Sequence, residues 1–170
     1  YKLYLSGYVK PVNQEIDRQM YDMAINLLSS AGIKQYEVSN FSVPSMECLH
    51  NLAYWANTPT VGIGPSAASW YQGRRSSNIA DINAYIKAIE EGQFAYEYTH
   101  EPDEIEIACE TAVLNLRRTR GLNLAEYEKA TGFNFKKLFA DHLESHLNDR
   151  LMQADDGWIR LTKQAVPIAD

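Results

Sequence analysis

Cysteine is nearly missing: Cys48 and Cys109 are the only two in 170 residues. They are too far apart for a C-x-x-C metal or redox signature and too few for the disulfide framework of a small secreted scaffold. Long apolar runs are missing as well. Nothing approaches the roughly 18 consecutive apolar residues that span a bilayer, and no charged leader followed by an apolar stretch marks a signal peptide. The expected location is therefore cytoplasmic. Positive charge is scarce, with 16 Lys and Arg against 22 Asp and Glu and a net charge of −6 shared by both halves. That balance disfavours a chain whose main task is gripping phosphate backbones. There is no internal repeat and no low-complexity tract. The initial methionine is also missing: the chain opens Tyr1-Lys2-Leu3-Tyr4-Leu5, which reads as an apolar strand, and further residues are expected upstream.

What is present is an ordinary globular composition, 45% hydrophobic, enough to bury a core for one domain or two small ones. Asn13 can cap a helix after Pro11, in which Ile16, Met20, Met23, Ala24, Leu27 and Leu28 recur at helical spacing until Gly32 stops it. That apolar face is expected to be buried. Ile33 to Asn40 reads as a short strand ending in polar side chains, a helix-then-strand order typical of α/β units. His50 to Ala56 is a short helix, and Thr60-Val61-Gly62-Ile63-Gly64 reads as a second strand broken by Pro65. Asp81 opens a helix with Ile82, Tyr85, Ile86 and Ile89 on one face, closed by Gly92.

Tyr96 to Pro102 shows no periodicity and is taken as the boundary between residues 1–98 and 99–170. Beyond it, Ile105, Ala108, Cys109, Ala112, Val113 and Leu116 form a helical stripe behind an acidic first turn, and Arg117, Arg118 and Arg120 complement its other end. Asn123 and Asn134 look like caps of two more helices, the second running to Leu147. Asp155-Asp156-Gly157 between Leu151–Ala154 and Trp158–Leu161 is a strong hairpin signal. Three helices and a hairpin describe a winged helix.

The chemistry-bearing residues concentrate between Tyr36 and Asn78. In order they are Tyr36-Glu37-Val38-Ser39-Asn40-Phe41, Cys48-Leu49-His50-Asn51-Leu52-Ala53-Tyr54-Trp55, Gly62-Ile63-Gly64-Pro65-Ser66-Ala67, Arg74-Arg75 and Asn78. In order and spacing this set resembles the radical-SAM family of oxygen-independent coproporphyrinogen oxidases and haem chaperones. It is most similar to the chaperone branch, whose H-N-x-x-Y-W motif stands here as His50, Asn51, Tyr54 and Trp55. The resemblance implies an α/β fold: the C-terminal strands and helices of a partial β/α barrel, to about residue 70, a trailing helical stretch, and a small winged-helix-like α+β domain. It also implies S-adenosylmethionine and a four-iron, four-sulfur cluster on C-x-x-x-C-x-x-C in the full-length protein. That motif is not in this sequence, so the segment alone is expected to do no radical chemistry, and no catalytic residue is assigned.

From the residues alone, His50 and Tyr54 share one face of a short helix and Asn51 and Trp55 another. An imidazole beside aromatic surface can ligate haem iron and pack a porphyrin; the plainer reading is a hydrogen-bonded, partly buried histidine. The resemblance implies the first, with His50 as haem ligand and Asn51, Tyr54 and Trp55 shaping the site. Cys48 is either a second soft ligand or a buried thiol, the latter preferred. The Gly62-x-Gly64 pair lacks the third glycine and long helix of a dinucleotide loop. The resemblance makes Gly62, Gly64 and Ala68 cofactor neighbours; the alternative is a tight turn. Arg74 and Arg75 are either a pair for porphyrin propionates or solvated loop residues. Glu37 is either a buried carboxylate or an ion-pair partner.

Three functions are carried forward. The first is a haem chaperone that binds haem or porphyrin and hands it to an acceptor protein. The second is an oxygen-independent coproporphyrinogen oxidase. A winged-helix DNA-binding regulator reading with Asn134–Leu147 is the third; it is disfavoured because Asp141, Glu144 and Asp149 offset Lys136 and Lys137, and no nucleic-acid partner is expected.

Overall fold

The computed structural model describes residues 2–169, with side chains from Tyr4 onward. Residues 2–5, expected as strand, form one helical turn, α1 (Lys2–Leu5); Tyr1 lies outside the described residues. Helix α2 (Gln14–Ser30) starts at the Asn13 cap, whose side chain accepts from the Glu15 amide at 2.8 Å, and stops at Gly32 with φ 79°. It packs on strand β1 (Lys34–Glu37) through Tyr21, whose hydroxyl donates to the Val38 carbonyl at 2.6 Å. The stripe expected to be buried is not: Ile16, Met20, Met23 and Leu27 are each more than half exposed. The helix carries a second row, Tyr21, Ile25 and Leu28, and this row faces the hairpin and is partly covered.

β1 turns back on β2 (Asn40–Ser42) in an antiparallel hairpin with a bulge at Glu37. Its free edge is taken by residues from much later in the chain. Thr119 N donates to the Tyr36 carbonyl at 3.1 Å and Val38 N to the Arg117 carbonyl at 3.0 Å, which ties this unit to the end of the fifth helix. Helix α3 (Leu49–Trp55) follows. The strand expected at 60–64 does not form; Thr60 makes an isolated bridge to Trp70. The backbone groups that a ladder would use are satisfied otherwise. Gly62 N donates to Ser69 Oγ at 2.9 Å, Gly64 N to the Tyr85 hydroxyl at 3.2 Å, and Asn78 Nδ2 to the Gly64 carbonyl at 2.9 Å.

Strands β3 (Ala68–Tyr71) and β4 (Arg74–Asn78) form a hairpin over Gln72 and Gly73, both at positive φ as a type I′ turn requires. After α4 (Ile82–Glu90), capped by Asp81, strand β5 (Tyr96–His100) adds antiparallel to β4. The stretch expected to lack regular structure is thus a sheet edge, and Ile82, Ile86 and Ile89 of α4 are exposed.

Helix α5 (Glu104–Leu116) opens with a reciprocal capping box between Asp103 and Glu106. Then come β6 (Leu122–Asn123), α6 (Leu124–Thr131), α7 (Phe135–Leu138), α8 (Ala140–Asn148), β7 (Met152–Asp155), β8 (Trp158–Leu161) and a 3-10 turn at Val166–Ile168. The expected single helix from Asn134 to Leu147 breaks at Phe139 (φ −115°, ψ 28°), giving α7 and α8. Pairing in the order β6-β8-β7 completes a winged-helix arrangement, with Asp156 and Gly157 at positive φ in the hairpin turn.

Its core is Ala108, Ala112, Leu122, Tyr127, Phe135, Leu143 and Ile159. Tyr127 donates its hydroxyl to the Ala108 carbonyl at 3.0 Å, and burial pushes its pKa above the usual tyrosine range. Tyr127→Phe should therefore cost about 1 kcal/mol at neutral pH by urea unfolding. The raised folded pKa fixes the sign of the alkaline effect. The stabilisation is fully present below the unfolded value of about 10 and is lost as pH rises through the folded one. Tyr127→Phe should remove that alkaline loss.

Candidate functional site

Helix α3 is held by one side and presents the other. On the held side, Asn51 Nδ2 donates to the Tyr36 hydroxyl at 3.1 Å, and the Arg117 guanidinium lies 4.7 Å from the centre of the Trp55 ring. Trp55 in turn meets Tyr54 edge-on at 5.1 Å. The helix is therefore clamped between β1 and the end of α5. On the presented side stand His50 and Tyr54, four residues apart and both exposed. The His50 imidazole makes no hydrogen bond to any described residue, so the plainer reading of a tied, half-buried histidine does not describe it. Cys48 precedes the helix and is exposed, which corrects the expectation of a buried thiol: it caps the helix by backbone position alone and nothing packs over it.

Past α3, Asn57 at φ 56° turns the chain, donating to Thr111 Oγ1 at 2.9 Å and accepting from Arg75 Nη2 at 2.5 Å. Arg75 also reaches Glu110 through Nε at 3.0 Å and stacks 4.2 Å from the Trp70 ring centre. These contacts join the β3–β4–β5 sheet to α5 and leave between them a cleft of about 580 Å³. Tyr54, Ala68 and Arg75, singled out in the sequence for three different reasons, all line it. Arg74 points elsewhere and pairs with Glu101 at 2.6 Å on the surface.

Trp70, Tyr98 and Cys109 also line the cleft and were not foreseen. The missed signal was the alternation of Tyr96, Tyr98 and His100 with Glu97 and Thr99, a period of two over five residues. Gly62 needs to be glycine for an internal reason: a side chain there would overlap the Ala68 backbone. Gly64 needs it for φ 101°. Glu37 is fully buried, accepting from Ser39 N at 3.1 Å and from Asn40 Nδ2, with Oε2 unpartnered. It joins no ion pair among the described residues.

Among the described residues no group of three or more His, Cys, Asp or Glu could hold a metal. The donor set here does not fit an iron–sulfur cluster, and no step is assigned through one. No described helix is long and apolar enough to cross a membrane.

Comparison with known proteins matches residues 103–168 to the HemN C-terminal domain. The haem chaperone HemW of Bacillus subtilis is 32% identical over 96% of this chain and 43% of that protein. The chain belongs to the HemN/HemW family. The HemW protein of Mycobacterium tuberculosis is 29% identical over 94% of this chain and 40% of its own length. A zebrafish (Danio rerio) relative, the mitochondrial radical S-adenosyl methionine domain-containing protein 1, is 22% identical over 97% of this chain. The solved structure of Escherichia coli coproporphyrinogen III oxidase (HemN), described as a radical SAM enzyme, superposes with a TM-score of 0.71 over 93% of this chain and 40% of that one, at 16% identity. The mixed α/β fold of the HemN/HemW family is thereby shared. The chain spans 43% of the Bacillus relative. In the full-length proteins of this family S-adenosylmethionine and a four-iron, four-sulfur cluster are the radical-SAM equipment.

Proposed function

We propose that the protein binds haem and delivers it to acceptor proteins, and that α3 is the part of this segment that takes hold of the iron. The observation that carries this reading is the division of the H-N-x-x-Y-W helix. Asn51 and Trp55 fix it to the fold, while the His50 imidazole stands exposed with no internal partner beside the exposed Tyr54 ring. A neutral imidazole supplies one nitrogen lone pair to iron, and a neighbouring phenol ring covers one side of a flat macrocycle. Resemblance to HemW proteins over nearly the whole chain supports chaperone work over oxidation.

Within this reading Arg75 is the better propionate partner of the two arginines, because it lines the cleft while Arg74 is paired on the outer surface. Gly62 and Gly64 have a packing and turn role instead of a cofactor role. S-adenosylmethionine and the cluster belong to the rest of the full-length protein, where they supply radical chemistry.

The test is to load the full-length protein with haem and mix it with an apo-haemoprotein. Transfer should be seen as the acceptor's spectrum appears. Under anaerobic reducing conditions with S-adenosylmethionine, coproporphyrinogen should stay undecarboxylated. Propionate loss without haem transfer would establish the oxidase reading in its place.

A further inference from the structure

His50 accounts for iron, yet an exposed imidazole on a seven-residue helix leaves the faces of a macrocycle uncovered. The cleft between the β3–β4–β5 sheet and α5 offers what is missing. Strand register puts Ala68, Ser77 and Tyr98 in one row and Trp70, Arg75 and His100 in the next, so one sheet face forms the floor. Cys109 and Val113 of α5 form the opposite wall, and Tyr54, one helical turn after His50, stands at the mouth. The aromatic row of β5 continues outward from Tyr98 to Tyr96, which stacks on Phe94 with centroids 5.4 Å apart and planes 7° from parallel.

A volume of about 580 Å³ lies in the range of small-molecule sites, which combine apolar and aromatic walls with a few placed polar groups. Here the placed group is Arg75. Its Nε and Nη2 are used by Glu110 and Asn57, while its Nη1 donates to no described residue. The Glu110 side chain is 41% exposed, so it can turn to water when another carboxylate arrives, and the guanidinium keeps a partner throughout.

We propose that this cleft seats the porphyrin ring itself: a planar tetrapyrrole enters past Tyr54, stacks along the Tyr98 side of the sheet and brings a peripheral carboxylate to Arg75, without needing its iron. The inference rests on haem being the cargo, and it adds a ring-binding subsite distinct from the iron ligand.

Metal-free protoporphyrin IX is the probe, with the full-length protein and tryptophan quenching as readout. The wild type and His50→Ala should bind it equally. Tyr98→Ala and Val113→Glu alter side chains that are 55% and 63% exposed, so they should fold normally, and each should weaken binding about tenfold or more. The porphyrin should slow alkylation of Cys109 by N-ethylmaleimide at least about tenfold, followed by mass spectrometry on the peptide that contains Cys109, a readout that needs no cleft variant to fold. If haem gives a His50-dependent Soret band while metal-free porphyrin fails to bind, or binds both cleft variants as tightly as wild type without protecting Cys109, the cleft inference falls and the chaperone reading stands. If wild type binds neither haem nor porphyrin, both fall together.

Discussion

Gly121→Ala should destabilise the winged-helix unit by about 3 kcal/mol or more, because two separate penalties meet at one residue. Gly121 sits at φ 78°, and a methyl group there would overlap the Ile159 carbonyl oxygen and lie 2.6 Å from Arg160 Cγ. Neither obstacle can move cheaply. Ile159 is fully buried and pairs directly with Leu122, which is fully buried too, across β6 and β8. Making room would part these strands at the centre of the core. The loop is pinned from the other side as well: Gly121 N donates to the Arg118 carbonyl at 2.8 Å. Gly132 supplies the control. It has the same φ of 78° but nothing within 4 Å of an added Cβ, so Gly132→Ala should cost only the backbone term, about 1 kcal/mol. Urea midpoints of the two variants separate steric overlap from backbone strain; equal shifts would mean the β6–β8 approach is looser than described.

Glu37→Ala should cost about 2–4 kcal/mol, combining a cavity at a fully buried side chain with the loss of two partly buried hydrogen bonds. The carboxylate accepts from Ser39 N and Asn40 Nδ2 and holds the bulge where β1 meets β2. The same residue bridges to Arg118, and its neighbours exchange backbone hydrogen bonds with residues 117 and 119. Its loss should therefore loosen the joint between the hairpin and the end of α5. Hydrogen exchange checks this: the amides of Val38 and Thr119 should lose protection in Glu37→Ala, while the Leu143 amide, deep in α8, keeps most of its own. Unchanged exchange at Val38 and Thr119 would show that the carboxylate does not hold the joint.

Where the sequence was readable, local chemistry carried the information. Asn13, Asp81, Asn123 and Asn134 each cap a helix as their position suggests, and Asp156-Gly157 makes its hairpin. Where it misled, the decision was made by distant residues. The stripe from Ile16 to Leu27 has helical spacing, but spacing does not say which of two apolar rows finds a partner; the row through Tyr21 meets β1. Val61 and Ile63 look like strand residues, yet the flanking glycine amides are satisfied by Ser69 and Tyr85, so no ladder forms.

The same holds for the candidate site. The H-N-x-x-Y-W helix is legible because its four residues are contiguous, and the structure divides them as the spacing implies, two holding and two presented. The cleft was invisible in the sequence because its parts come from five elements, α3, β3, β4, β5 and α5, brought together by Arg75 reaching Asn57 and Glu110. Ion pairing across that much chain has no local signature. Arg74, adjacent in sequence, faces solvent with Glu101, a strand alternation that one residue of register decides.

The most direct test of the account is a haem titration of the full-length protein followed in the Soret region, wild type against His50→Ala. Exposure of His50 means the substitution should leave folding intact, so any change reports ligation. The account predicts a bound-haem band in wild type that is lost or shifted to that of weakly associated haem in His50→Ala, with at least a tenfold weaker affinity, about 1.4 kcal/mol. An identical band and affinity in His50→Ala would contradict it and remove α3 as the place where the iron is held.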